Sequence, residues 1–269
     1  MRQVLISHFF NEEFLLPYFL RHHVPMFDHG VMINHCSTDS SVDIIKALAP
    51  GWEIVDTTLE NFDAELNDRE VESHEARFPD DWKVVLNVTE FIIHPDLRWF
   101  LREQLKKNQH WVWMRDFGIV DTLEEQDKPV TDEPLWLQRE HGFDAATVRS
   151  RMIHRYQHGD WILGRHSSHK SRKHPGMLTD EVLVLWYGWS PMSCCRPRKL
   201  QIQTRIPEKD KALRRGVEHI QTPESLQETY LGFAAGSCHL PSVYPAYRNG
   251  IEAMKSAYFA EGSPWRAAE

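Results

Sequence analysis

Residues 82–95 read WKVVLNVTEFIIHP, and the rest of the chain is interpreted from this stretch. The segment KVVL at residues 83–86 is a short, mainly apolar run of the kind that forms a buried strand. Three polar side chains follow it within four positions, namely those of Asn87, Thr89 and Glu90. A strand that ends in polar side chains presents them at the carboxyl edge of its sheet, where open α/β sheets bind ligands.

The N-terminal part of the chain alternates between strand and helix patterns. Strands are predicted over residues 4–10, 31–34, 52–56 and 83–86. Helices are predicted from Asn11 onward, with Phe14, Leu15, Tyr18 and Phe19 facing the core, and over residues 42–48, 65–78 and 96–107. This order is typical of a parallel, doubly wound sheet. We therefore predict an α/β fold with a Rossmann-like, mostly parallel sheet that helices flank on both faces.

The later elements are fewer and more widely spaced. Strands are predicted over residues 110–114 and 182–189, with a loop over residues 119–134 between them. Thr222 and the proline after it predict the start of another helix. Near the C-terminus, an apolar face made by Ile251, Met254 and Tyr258 predicts a helix that packs on the core or on a second subunit, so a homodimer is one expectation.

Composition excludes several classes of protein. The chain has 269 residues, of which 41% are hydrophobic and 26% are charged, as in ordinary globular proteins. Its net charge of −8 argues against a general nucleic-acid partner, because such proteins carry a basic face. No apolar run is long enough for an integral membrane segment, and the first residues do not read as a signal peptide, so a cytoplasmic location is predicted. The four cysteines show no CxxC spacing and are predicted to be free thiols.

The segment NVTEF at residues 87–91 resembles a known motif. It is similar to the D-x-D-E-F segment of family 2-like glycosyltransferases of the GT-A type, in which two aspartates help to hold a divalent cation on the diphosphate of a nucleotide sugar. Glu90 and Phe91 match this motif. Asn87 and Thr89 stand where the two aspartates would be, so the D-x-D motif is degenerate.

Two further segments resemble the nucleotide-recognition half of the same family. The first predicted strand is followed by N-E-E, and the second by N-H-C-S-T-D, in which Ser37, Thr38 and Asp39 match the family pattern. Asn34 stands where the family usually has an aspartate that contacts the base, and its amide can still bond a pyrimidine edge. A helix cap without a ligand is the alternative interpretation of residues 37–39. More loosely, RKLQIQ at residues 198–203 and IPEKD at residues 206–210 look like the C-terminal part of this family.

The resemblance implies one GT-A domain over residues 1–269. Residues 1–100 would be the nucleotide-sugar-binding half, residues 101–220 the acceptor side, and residues 221–269 a set of C-terminal helices. The residues expected to bind the nucleotide-sugar donor are His8, Asn11, Glu12, Asn34, Ser37, Asp39, Arg69, Asn87 and Arg165.

Histidines are concentrated between residues 154 and 174, at positions 154, 158, 166, 169 and 174. Two imidazoles three residues apart can join a carboxylate in a cation site. We therefore expect Glu90 with His166 or His169 to hold Mn²⁺ or Mg²⁺, with Arg165 in support. Two alternatives stay open. In the first, the arginines and lysines of this segment neutralise a diphosphate without a metal. In the second, these histidines form a surface loop.

Sugar transfer also requires a base that accepts a proton from the acceptor hydroxyl. Asp180, just ahead of a predicted strand, is the first candidate and Asp160 the second. The resemblance implies an inverting transferase that moves a sugar to a glycan or another hydroxyl acceptor, in surface or capsular polysaccharide synthesis. The alternatives are a non-catalytic GT-A-fold protein that binds a nucleotide or glycan, and a metal-dependent hydrolase built on the histidine cluster.

Overall fold

The computed structural model describes residues 1–171, 177–213, 215 and 220–266. The strands in this part of the chain are β1 Gln3–Phe9, β2 His29–Asn34, β3 Glu53–Asp56, β4 Trp82–Val85, β5 Glu90–Ile93, β6 Trp111–Val120, β7 His141–Asp144, β8 Met152–His154, β9 Trp161–Ile162, β10 Ser167–Ser168, β11 Leu178–Trp189 and β12 Cys238–His239. The α-helices are α1 Leu16–His23, α2 Ser41–Leu48, α3 Ala64–Glu75, α4 Leu97–Lys106, α5 Leu135–Gln138, α6 Met192–Ile202, α7 Glu208–Ala212, α8 Pro223–Gly236, α9 Leu240–Val243 and α10 Pro245–Tyr258.

The first four strands form a parallel unit in the order β4-β1-β2-β3. Ile6 of β1 lies between Val31 of β2 and Val85 of β4, and Ile33 of β2 lies opposite Val55 of β3. The carboxyl ends of these strands therefore meet at one edge of the sheet. The predicted α/β class and its parallel core are confirmed.

Both faces of the sheet are covered by helices because the side chains of a strand alternate between the two faces. Leu5 packs in a cluster with residues of α1, α2, α4 and α10, among them Phe19 and Ile45. Val4 and Ile6, its neighbours along β1, pack in a second cluster on the other face with Val71 of α3. The predicted arrangement with helices on both faces is confirmed.

Most of the remaining strands extend the sheet beyond β4, whereas β9 and β10 pair with each other in a separate two-stranded sheet. β8 is antiparallel to both β4 and β6, β7 is antiparallel to β6, and β12 pairs with β7. β11 runs parallel to β6 and antiparallel to β5. β7, β8 and β12 escape sequence-based prediction because each has only two to four residues, too few for a periodic pattern.

One local prediction needs correction, and one helix has no counterpart among the predicted elements. The helix expected from Asn11 begins at Leu16, because Asn11 adopts a positive φ of 50° in a turn. Phe14, expected in the core, is 37% exposed as a result. The helix α6 was not predicted, and the proline at position 197 inside it obscures its pattern.

The last helix meets the chain's own core. Ile251 and Met254 are buried in the first cluster, and Tyr258 packs against it. The apolar face of α10 is therefore covered within one chain, and a homodimer stays a prediction. All four cysteines are free. Among the described residues, no helix has both the length and the apolar character required to cross a membrane.

Candidate functional site

A cleft of about 280 Å³ lies where the turn after β4 meets the helices α6 and α7. Its floor includes Asn87 and Thr89, the two positions of the degenerate motif. The lining described here contains five basic side chains, Arg149, Arg165, Arg198, Lys199 and Arg215, and one carboxylate, Asp210. The predominance of cations in the lining indicates a site for an anion.

Glu90 holds the first wall of the cleft in place. Its carboxylate accepts hydrogen bonds from Arg149 at 2.7 Å, from two nitrogens of Arg151 at 2.8 Å each, and from the backbone N–H of Asn87 at 2.7 Å. Burial raises the pKa of Glu90, but the charges of Arg151 and Arg149 outweigh it and leave the pKa below its ordinary value. Glu90 is therefore a buried carboxylate that orients two guanidinium groups.

Arg149 is also fixed from a second side. Its guanidinium carbon lies 4.0 Å from the centre of the Trp186 ring, and both residues line the cleft. A guanidinium over an indole face is a favourable contact. The position of Arg149 is therefore set by Glu90 and Trp186 together.

Arg165 supplies the second wall from a tight turn between β9 and β10. Gly164 and Arg165 have positive φ angles of 84° and 62°. The carboxylate of Asp68 on α3 accepts bonds from the N–H of Gly164 at 3.0 Å and from the guanidinium of Arg165. This anchoring aims Arg165 at Asn87, whose Oδ1 lies 3.5 Å away.

The third wall comes from α6 and the segment around α7. Arg198 donates to the buried carboxylate of Glu12 at 2.6 Å. The ammonium of Lys199 lies 4.0 Å from the ring centre of Trp189. Arg215 bonds to Glu65 at 2.8 Å and to Asp210 at 3.4 Å. The basic side chains of this wall are thus also held in fixed positions.

The turns after β1 and β2, predicted to contact the donor, bond to each other. The N–H of Asn11 donates to Ser37 Oγ at 3.1 Å, and the carboxylate of Asp39 accepts from the N–H groups of Glu13 and Ser41 at 3.0 Å each. Asn34 donates to Asp56 Oδ1 at 2.8 Å. The structure brings these predicted residues together, but the bonds described here are used within the protein, as in the helix-cap alternative.

Another cleft, of about 350 Å³, lies beside these turns. Asn11, Glu12 and Asp39 line it, and Arg198 lines both this cleft and the cation-lined one. Arg69, in contrast, is exposed on α3 and lines neither cleft.

Aromatic and basic side chains cover the ends of β1 and β2. Phe62 lies 4.1 Å from the ring of His35, and Arg205 donates to His35 Nδ1 at 2.9 Å. His8 bonds to Glu70 at 3.0 Å. Burial lowers the pKa of His8, although its hydrogen bond to Glu70 acts in the opposite direction. Burial alone would raise the pKa of Glu70, but hydrogen bonds from His8, Thr57 and the N–H of residue 58 lower it to about 2.

The predicted metal ligands are not assembled. No three His, Cys, Asp or Glu side chains are grouped as a metal site in the described ranges, which include Glu90, His166 and His169. The Glu90 oxygens face two arginines, His166 bonds through Nδ1 to the carbonyl of Ser150 at 3.3 Å, and His169 is exposed. The residues present do not fit a divalent cation, and a hydrolase built on the histidine cluster has no support from them. His174 lies outside the described residues.

The two predicted bases lie away from the cation-lined cleft. Asp180 is 57% exposed at the start of β11 and pairs with Arg115. Asp160 sits in a turn with a φ of 52°, where its carbonyl accepts the N–H of His169. Neither of them lines the cleft.

Several residues of the cleft were missed from sequence. Arg149, Arg198, Lys199, Asp210 and Arg215 all belong to it. RKLQIQ and IPEKD contain three of them, and their resemblance to the C-terminal part of the family was the available signal. Arg149 and Arg151 stand on either side of Ser150. Because side chains two apart in an extended segment share a face, this spacing was a signal that the two arginines lie together.

The chain was compared with known proteins. No family model matches it, and no curated protein matches it. Among solved structures it is similar to S. aureus TarS 1–349 in complex with UDP, at 11% identity over 58% of this chain and 47% of that chain, with a TM-score of 0.35. It is similar to glucosyl-3-phosphoglycerate synthase from Mycobacterium tuberculosis with Mn²⁺ and UDP, at 16% identity over 43% of each chain, with a TM-score of 0.31.

A third similar structure is HddC from Yersinia pseudotuberculosis, at 10% identity over 74% of this chain and 100% of that chain, with a TM-score of 0.40. The chain spans less than half the length of the TarS and synthase structures. Because these identities and TM-scores are low, the role of the cleft is inferred from the chain's own residues.

Proposed function

We propose that the chain is a glycosyltransferase whose donor is a nucleoside-diphosphate sugar and whose acceptor is a hydroxyl group of a glycan or another molecule. The observation that carries the proposal is the cleft at the carboxyl edge of the sheet, lined by five fixed basic side chains. Departure of a diphosphate builds negative charge that the site must stabilise. Oriented guanidinium and ammonium groups do this through charge-assisted hydrogen bonds.

We propose further that arginines perform the charge neutralisation that a divalent cation performs in the family. Asn87 and Thr89 carry no charge, and Glu90 is fully engaged by Arg149 and Arg151. Two guanidinium groups against one carboxylate leave this wall with a net positive charge, which would repel a divalent cation. An anionic diphosphate would be attracted by the same groups.

For the proton of the acceptor we assign His166, which lines the cleft. Its Nδ1 faces the carbonyl of Ser150, so Nδ1 carries the hydrogen and Nε2 is left as the acceptor. Burial, followed by the charges of Arg151 and Arg149, lowers the pKa of His166 well below its ordinary value, which makes the free ring a weak base. The negative charge of a bound diphosphate would raise this pKa and so favour proton transfer to the ring. As His166 takes the proton, the acceptor oxygen bonds to the anomeric carbon and the bond from that carbon to the diphosphate breaks, and this single displacement gives an inverting reaction.

One observation favours a second candidate function, which is binding of a nucleotide or glycan without turnover. Phe62 and Arg205 lie over His35 at the end of β2, where the family resemblance expects the base of the donor. If Phe62 and Arg205 do not move away from His35, a ligand is limited to the cation-lined cleft.

The test is a thermal-shift series with UDP, GDP, dTDP and CMP, each in EDTA, in Mn²⁺ and in Mg²⁺. A ligand that binds only the folded state stabilises it by about 2.7 kcal/mol at a hundred times its Kd. We expect one diphosphate to raise the melting temperature equally in EDTA and in Mn²⁺. The Arg165→Gln variant should lose this shift, and the matched control Arg102→Gln, an exposed residue of α4 outside the cleft, should keep it.

Each other outcome has a definite meaning. A shift that requires Mn²⁺ or Mg²⁺ refutes neutralisation by arginines. The absence of a shift with every nucleotide refutes donor binding in this cleft. A shift without release of diphosphate from the matching nucleotide sugar, across a set of glycan acceptors, moves the assignment to the non-catalytic function.

A further inference from the structure

A third cleft, of about 360 Å³, lies on the side of the sheet covered by α1 and α10. Four Tyr and Trp side chains line it, together with one arginine and one aspartate: Tyr18, Trp136, Tyr258, Trp265, Arg21 and Asp132. His22 and Pro134 complete the lining. It shares no lining residue with the cation-lined cleft. Pockets of this size with apolar walls and a few polar groups are typical of small-molecule sites.

The aromatic rings are held in place by the protein. Tyr18 donates its hydroxyl hydrogen to the carbonyl of Thr131 at 2.9 Å, and Trp265 donates its indole N–H to the carbonyl of His22 at 3.0 Å. Trp136 packs edge-to-face on Tyr258, with ring centres 5.7 Å apart. Because the rings are already ordered, a ligand that stacks on them loses little additional entropy.

The two charged side chains are available to a ligand. Arg21 and Asp132 are exposed, and neither side chain has a hydrogen-bond or ion-pair partner in the part of the chain that the structure describes. Both lie near Tyr18, whose pKa is raised by burial and then by the Asp132 carboxylate, and is lowered in part by Arg21. One positive and one negative charge balance each other, so the cleft favours a neutral ligand over a phosphate or nucleotide.

We propose that this cleft binds a saccharide. The apolar face of a pyranose ring stacks on an aromatic side chain, and its hydroxyl groups both donate to a carboxylate and accept from a guanidinium. A purely apolar ligand would bury Arg21 and Asp132 without partners, which is costly. The inference does not rest on the proposed transferase activity, because the two clefts have separate linings.

The test is saturation-transfer NMR of the full chain with maltose, cellobiose, lactose and diacetylchitobiose at millimolar concentration. We expect saturable transfer to at least one of these disaccharides. Arg21→Ala and Asp132→Ala should each weaken its binding by about tenfold or more, since each removes a charged hydrogen bond. Their melting temperatures should match the wild type, because neither side chain is paired. The matched controls Arg102→Ala and Asp127→Ala, both exposed and outside the cleft, should bind as the wild type does.

Two results overturn the proposal. One is the absence of transfer to every disaccharide in the panel. The other is equal binding by the wild type, the two cleft variants and the two controls. A further arm adds UDP at saturating concentration, and displacement of the disaccharide by UDP also contradicts a separate site. Retained disaccharide binding with no UDP binding would refute the proposed donor site alone.

Discussion

The Glu90→Gln variant separates a carboxylate that orients arginines from one that binds a metal. Glu90 is fully buried and accepts bonds from both Arg149 and Arg151. The substitution keeps the shape of the side chain but removes the charge that compensates two guanidinium groups. Breaking a buried ion pair by neutralising one partner costs about 3–5 kcal/mol. In a chain of this size that corresponds to a fall of about 6–10 °C in melting temperature.

The assay is thermal and urea unfolding of the purified variant, in EDTA and in Mn²⁺. The loss should be the same in both, and it should persist at high salt because buried charges are weakly screened. Glu103→Gln is the matched control, since it removes the partner of the exposed Lys106 and should cost less than about 1 kcal/mol.

A double-mutant cycle isolates the interaction. Adding Arg149→Gln to Glu90→Gln removes one of the uncompensated charges, so the double variant should be more stable than the sum of the two single losses implies. The reasoning is refuted if Glu90→Gln has the same melting temperature as the wild type in EDTA but lacks a stabilisation by Mn²⁺ that the wild type shows. That pattern belongs to a metal ligand.

Three further predictions concern titration and the cleft. Burial lowers the pKa of His22 to about 4, so between pH 4 and the ordinary histidine pKa of 6.5 the unfolded chain binds a proton that the folded chain does not. Stability should therefore fall below about pH 6.5 by about 1.4 kcal/mol per pH unit from this residue, and urea unfolding of His22→Asn against pH should show a shallower slope. His166→Asn should lower kcat by about a hundredfold or more and keep the thermal shift with donor. Asp180→Asn, outside the cleft, should leave kcat unchanged. The reverse result in a steady-state assay would restore the prediction that Asp180 is the base. Arg165→Lys keeps the charge but loses the planar fork, so its donor Kd should rise about tenfold in calorimetry, and an unchanged Kd would show that charge alone suffices.

The parallel half of the fold could be predicted because each of its strands has a local signature. β1, β2 and β4 are apolar runs that are buried on both faces, and polar turns follow each of them. The residues at the ends of these strands were therefore placed at one edge from sequence alone. The hydrogen-bond partners of these residues could not be predicted, because the bond from Asn34 to Asp56 depends on the register between two strands.

The cleft could not be predicted in the same way because its walls come from distant parts of the chain. Glu90 and Arg151 are sixty-one positions apart in sequence, and Glu12 and Arg198 are one hundred and eighty-six apart. A carboxylate in a metal-binding motif looks the same in sequence whether a cation or two guanidinium groups face it. Only the folded chain shows that Glu90 is buried between two arginines, because burial is a property of the fold.

The neutral residues at positions 87 and 89 fit the role proposed for the basic lining. Both positions lie in the lining, which holds five basic side chains and one carboxylate. Aspartates there would add two carboxylates, and one at position 87 would stand beside the guanidinium of Arg165. That guanidinium, which already bonds to Asp68, would then face a second carboxylate, and this carboxylate would compete with a bound anion for it. A cleft that uses arginines for a diphosphate therefore requires uncharged residues where a metal-dependent site requires acids.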